Sequence, residues 1–178
     1  MTTRFVTTVF DGGQAALKTE ESAHATWQYA PGAMPGLLQT PDYATALADA
    51  LPHLDEGRED HFRLRMERGQ QMRELTHLRH CFLLSGAVHD HAPHTELMED
   101  QRAHLADLDR LDHIEIRVRP AAPVLTDPTG FTIRGQSAWV ECGDLYFAAP
   151  GDVQTWIAEW ERLWSCAVPL ATYQRGNR

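Results

Sequence analysis

The stretch Trp27 to Ala44, WQYAPGAMPGLLQTPDYA, combines chain-breaking residues with bulky apolar ones, and this limits what the chain can fold into. Three prolines and two glycines stand among Trp27, Tyr29, Met34, Leu37, Leu38 and Tyr43. Proline and glycine mark turns, yet a turn in open solvent has no use for so many large apolar side chains. The segment therefore reads as a buried connection. An approaching helix ends near Tyr29, Pro31 and Pro35 carry the chain across the domain, and Thr40-Pro41-Asp42 starts the next helix. Thr40 suits the N-cap and Pro41 the first helical position. Buried irregular backbone must have its polar groups paired, which makes Gln39 and Thr40 natural partners for it. Pockets are apolar with a few convergent polar groups, so two readings stand side by side. The stretch is a packed inter-helix corner, or a corner that also lines a ligand pocket through Trp27, Tyr29, Met34, Pro35, Leu38, Gln39 and Tyr43.

Along the chain, RFVTTVF at 4–10 is β-branched and aromatic and reads as an edge strand or arm, giving an N-terminal arm over 1–14. The Ala/Glu-rich pattern from Gln14 to Tyr29 reads as a helix, as does Pro41 to Leu51, which Pro52 ends. The longest helical signal runs from Asp55 to Leu78, with Phe62, Met66, Met72 and Leu75 as its apolar stripe. HCFLLSGAV, His80 to Val88, reads as a buried strand. Glu96 to Leu111 is helical by the recurrence of Leu97, His104, Leu105, Leu108 and Leu111, and His113 to Arg119 alternates strictly as a strand. Strand, helix and strand suggest one βαβ crossover. The segments 131–134, 138–142 and 144–148 follow as strands joined by hairpin turns. A closing amphipathic helix starts after Asp152 and carries Trp156, Trp160 and Trp164 at four-residue steps. That ridge reads as core over the sheet or as a docking face for a partner. Residues 169–178 read as a frayed tail. The fold class is α+β: N-terminal helices, then a small mixed sheet with helices packed on it, in one domain over 15–168.

The balance of 25 acids against 16 Lys and Arg gives a net charge of -9, which argues against nucleic acid as a partner. Arg63, Arg65, Arg68 and Arg73 form the densest basic run, with Glu67 and Glu74 interleaved as on a solvated helix. No apolar run reaches the length of a membrane span and no signal-peptide pattern opens the chain, so a cytoplasmic location is expected. Cys81, Cys142 and Cys166 have no CxxC pairing and read as reduced, mostly buried thiols. His89-Asp90-His91-Ala92-Pro93-His94 is the densest chemical cluster. On extended chain His89 and His91 point the same way. The cluster is open to three readings: a solvated loop, an acid/base group of His89, Asp90 and His91, or a zinc site. The expectation is that no metal or cofactor is bound, because no HExxH, P-loop, GxGxxG or GxSxG pattern is present.

The corner LLQTPDYA, preceded by MPG and by Trp27 and Tyr29, resembles the pattern W-x-Y-E-x-x-x-V-P-G-L-L-Q-T-x-x-Y-A. That pattern belongs to a domain of unknown function that follows the XRE-type helix-turn-helix in actinobacterial antitoxin-like regulators. RMERGQQM at 65–72, MEDQRAHLADL at 98–108, IEIRVRP, and the strands GFTI, WVEC and DLYFA resemble further motifs of that domain in the same order, over residues 15–168. The residues before the shared region are too few for a helix-turn-helix, so the resemblance implies a stand-alone version without the DNA-binding part. Ala30 and Gly69 stand where the family usually has Glu and Gln, and SGAVHDH replaces its usual Asp-Glu pair. The first functional expectation is a ligand-sensing or protein-interaction domain that binds a small molecule or small partner protein without contacting DNA. The alternative is recruitment as a cofactor-independent cyclase, isomerase or hydrolase of specialised metabolism, using the His/Asp cluster. An antitoxin-like structural role through the tryptophan ridge is a third reading. The oligomeric state is left open, a homodimer included.

Overall fold

The computed structural model describes residues 23–50, 58–90, 95–120, 129–142 and 145–176. Period-two alternation along Thr26-Trp27-Gln28-Tyr29 makes the first described element a strand, β1 (Ala25–Ala30). This overturns a helix running to Tyr29. Aromatic and β-branched side chains favour a pleated surface, and here that preference displaces the Ala/Glu-rich helical pattern that leads into them. The expected arm at 1–14 and the rest of that helix lie outside the described residues.

Strands β2 (Arg79–Ser85) and β3 (Ile114–Arg119) run parallel to β1, in the order β1-β2-β3. Beyond β1, the strands β4 (Phe131–Arg134), β5 (Ser137–Cys142) and β6 (Leu145–Ala148) continue antiparallel as a meander. The two-residue β7 (Val168–Pro169) closes the other side against β3, and the seven strands lie in the order β6-β5-β4-β1-β2-β3-β7. The structure is thus mixed α+β, as the patterning implies, and the expected crossover from β2 to β3 is joined by a second parallel pair, β1 with β2.

The helices divide between the two faces. On one lie α1 (Pro41–Ala50), α2 (Arg58–Glu74), α4 (Thr95–Leu108) and α6 (Leu170–Gly176), with the five-residue α3 (Gly86–Asp90) between β2 and α4. Their core joins Met34, Leu38, Met72, Leu105, Leu108 and Leu170 to Phe82, Leu84, Ile116 and Val118 of the sheet. The other face is covered by α5 (Val153–Ser165), which opens at Asp152 as anticipated, the carboxylate accepting from the Gln154 N–H. Its tryptophans cover the sheet. Trp160 stacks on Trp27 at 6.1 Å and on Trp164 at 4.9 Å, Trp156 packs on Phe131 at 5.1 Å, and the Arg117 guanidinium sits 4.4 Å over the Trp164 ring.

Four further expectations change. The strand from His80 ends at Ser85, where the Ser85 hydroxyl accepts from the Val88 N–H and donates to the Pro31 carbonyl, turning residues 86–90 into a helix. On α2 the stripe is incomplete: Met72 is buried but Leu75 is exposed, because the helix stops at Glu74. Cys81 is buried and Cys166 is exposed. The tail after Pro169 is not frayed but forms α6, seated by Leu170, which is 1% exposed, and by Tyr173. No described helix is long and apolar enough to cross a membrane.

Leu170→Ala is therefore expected to cost about 2–5 kcal/mol in chemical denaturation. A frayed tail would show no change in midpoint.

Candidate functional site

The corner is held by two glutamines and an arginine. From Pro35 the chain makes a single 3-10 turn, Gly36–Leu38, and enters α1 through Thr40, whose hydroxyl accepts from the Tyr43 N–H at 3.2 Å. Between them the backbone is irregular and buried. Gln39 donates through Nε2 to the Met34 carbonyl at 2.7 Å, and its Oε1 accepts from Arg65 Nη1 at 2.9 Å. Gln101 of α4, wholly buried, donates to the Leu38 carbonyl at 2.6 Å and accepts from the Thr40 N–H at 2.8 Å. One amide thus brackets both sides of the break. Helix α2 comes close enough that a Cβ on Gly69 would lie 3.3 Å from the Leu37 carbonyl oxygen, and the Arg65 stem lies across Gly36.

This close approach opens a groove of about 490 Å³ between the corner and α2. Leu37, Pro41 and Met66 supply its apolar wall, and Gln39, Arg65, Arg73 and His104 its polar one, with Glu74 the acid among them. Burial, and then the charge of Arg73, holds the His104 imidazole below its ordinary range, with Asp107 opposing. Burial also raises the Tyr43 phenol, against a hydrogen bond from the Met34 backbone.

The structure does not bring the seven expected ligand residues to one place. Of these, only Gln39 lines the groove. Met34, Pro35 and Leu38 are its buried foundation, and Tyr43 packs against the same core. Trp27 and Tyr29 point to the opposite side of the sheet, toward α5, where the Tyr29 hydroxyl accepts from Arg119 Nη2 at 3.1 Å. Strand pleating is the reason: residues two apart share a face, and that face is not the one the corner crosses. Arg65, Arg73, Gln101 and His104 belong to the site but were not singled out for it. Gln101 carried a usable signal, since Met98, Gln101, Leu105 and Leu108 follow one helical stripe in which a single polar residue interrupts apolar ones.

His89 and Asp90 do meet, though not on extended chain. They follow one another in α3, with His89 Nδ1 and Asp90 Oδ1 2.8 Å apart. With Nδ1–H donating to that carboxylate, Nε2 is left to accept, and Gln174 Nε2 lies 3.4 Å from it. The Tyr173 hydroxyl donates to the other Asp90 oxygen at 2.6 Å, and its ring meets the imidazole edge-on at 5.1 Å. The histidine side chain is only 3% exposed beneath α6. His91 and His94 lie outside the described residues. Among the described residues no group of three His, Cys, Asp or Glu side chains stands close enough to hold a metal ion.

These features describe a small α+β domain in which an irregular corner, clasped by buried amides, borders an open polar groove. Residues 14–172 match the model of the DUF5753 family, a domain of unknown function, and the chain belongs to that family. No curated protein matches it.

Two measurements probe the site. Gln101→Leu strands the Leu38 carbonyl and the Thr40 N–H, at about 1–3 kcal/mol for each group left unpaired. Gln101→Glu, whose carboxylate would lie buried beside the Leu38 carbonyl oxygen, is expected to be at least as destabilised as the leucine variant at neutral pH and to recover in acid, where the protonated carboxyl regains a donor. A leucine variant as stable as the parent would remove the clasp from the account. His104 binds its proton more weakly folded than unfolded. Its contribution is thus intact above the unfolded value of about 6.5, declines as pH falls below it, and levels off beneath the lower folded value. His104→Gln is expected to flatten the pH dependence of stability in that window.

Proposed function

We propose that this chain is a ligand-sensing domain that binds a small molecule in the groove between the corner and α2, without contacting DNA. One observation carries this reading: the side chains where the groove meets the corner are already fixed in place, with Arg65 held by Gln39 and Gln39 held by the Met34 carbonyl. Fixed side chains lose little freedom on binding, which favours affinity. Its mixture of apolar wall and convergent polar groups suits a small organic ligand. The resemblance of LLQTPDYA to the domain carried by actinobacterial antitoxin-like regulators supports a sensing role. The net charge of -9 supports a partner other than nucleic acid.

A second reading, a cofactor-independent enzyme of specialised metabolism, draws on the His89–Asp90 contact, in which an oriented imidazole presents Nε2 as a base. Its burial beneath Tyr173 and Gln174 favours a structural role instead.

The test is a thermal-shift screen of fractionated metabolites against the parent and Gln70→Trp, which places an indole at the groove's edge. A ligand at a hundredfold excess over its Kd stabilises the folded state by about 2.7 kcal/mol, so the parent is expected to shift upward and the variant not to. Equal shifts in both proteins would exclude this groove. Turnover of the bound molecule that disappears in His89→Ala, with folding intact, would favour the enzyme.

A further inference from the structure

The chain is acidic overall, yet three of its arginines line a second concavity. This groove, of about 510 Å³, lies where α2 and α4 run out and β2 and β3 begin. Arg73, Thr76, His77, Arg79 and Arg110 line it, with Asp112 the acid among them. Three guanidiniums around one hollow exceed what the end of α2 needs, since a helix C-terminus carries only about half a negative charge. Two of them are steadied from outside. Glu115 holds Arg79 at 2.7 Å, and Asp107 holds Arg110 at 2.9 Å. Each acid takes one edge of a group with five N–H donors, and although Arg79 also reaches the Cys81 thiol, neither guanidinium is used up. Arg73 has no hydrogen-bond or ion-pair partner among the described residues, and it lines both this groove and the corner groove.

We infer that this arginine-lined groove binds the phosphate group of a small phosphorylated molecule. Guanidiniums bind phosphate through paired, charge-assisted hydrogen bonds, and Arg73, together with the edges of Arg79 and Arg110 that face away from Glu115 and Asp107, presents such donors around one hollow. The Thr76 hydroxyl and the His77 ring add donors at the same site. The occupant is small rather than a nucleic acid, because Asp112 lines the hollow and Asp107 and Glu115 pair with two of its arginines, which confines the donors to one spot and leaves no basic track for a strand that continued beyond it. The inference does not depend on the corner groove being occupied.

Amide NMR titration of the whole chain with inorganic pyrophosphate, at constant ionic strength in chloride, tests it. Saturating shifts are expected at Arg73, Thr76, His77, Arg79 and Arg110. The double variant Arg73→Gln, Arg110→Gln alters two exposed side chains and is expected to bind at least about tenfold more weakly while melting near the parent temperature. Unsaturated shifts scattered over every basic residue, or an unchanged affinity in the double variant, would overturn the inference. A nucleoside diphosphate that binds more tightly than pyrophosphate identifies a phosphorylated organic ligand reaching past Arg73, whereas equal affinity identifies the inorganic ion. Gln70→Trp separates the two grooves: pyrophosphate binding retained there, with corner-groove binding found in neither protein, sustains this inference and sinks the other.

Discussion

The fold depends on the pairing of two backbone groups that no helix or strand can satisfy. Between β1 and α1 the chain must leave the sheet, cross beneath α2 and turn into a helix, and it does so in the interior. The Leu38 carbonyl and the Thr40 N–H sit on either side of that crossing, and the Gln101 amide answers both. Donor and acceptor on one side chain let a single residue of α4 close the gap, so α4 is tied to the corner by geometry as well as by Leu105 and Leu108. Gln39 repeats the device one step away, with Arg65 extending it to α2. Three helices are thus positioned by three polar side chains in a setting otherwise ruled by apolar burial. Buried networks of this kind specify one arrangement because any other leaves a polar group without a partner.

Much of this was legible in the sequence, and the misses have identifiable causes. Pro41 and Thr40 marked the start of α1, Asp152 the start of α5, and strict alternation marked β3, because capping and period-two patterns are local. The buried character of the corner was also legible, as was the role of Gln39. The strand at Ala25–Ala30 was obscured by helix-favouring residues before it, and only its place between β2 and β4 settles its state. Pro169 looked like the end of order. Its backbone instead pairs with β3, and the next residue, Leu170, joins the core on the helix-covered face of the sheet, a place that no local pattern announces. The expected pocket residues failed to converge for a related reason, since sequence proximity within a strand does not decide which face of a sheet a side chain serves.

The groove residues illustrate a different limit. Arg65 and Arg73 looked like members of a solvated helical face, and Arg63 is one, paired with Asp60 at 2.9 Å. What separates them is the rotation of α2 against the corner, set by the approach of Gly69 to Leu37. A charged helix with an incomplete apolar stripe can still present its two sides to different chemistry once a neighbour is close enough to divide them.

On the far face of the sheet, Trp27, Trp160 and Trp164 form a ladder of indoles from two distant parts of the chain. Indoles at 4.9 and 6.1 Å couple electronically, and the Arg117 cation over the outer ring perturbs its excited state. The ladder exists only while α5 is seated on β1. The protein therefore carries a built-in optical gauge of that docking, readable in near-ultraviolet circular dichroism and intrinsic fluorescence without any label.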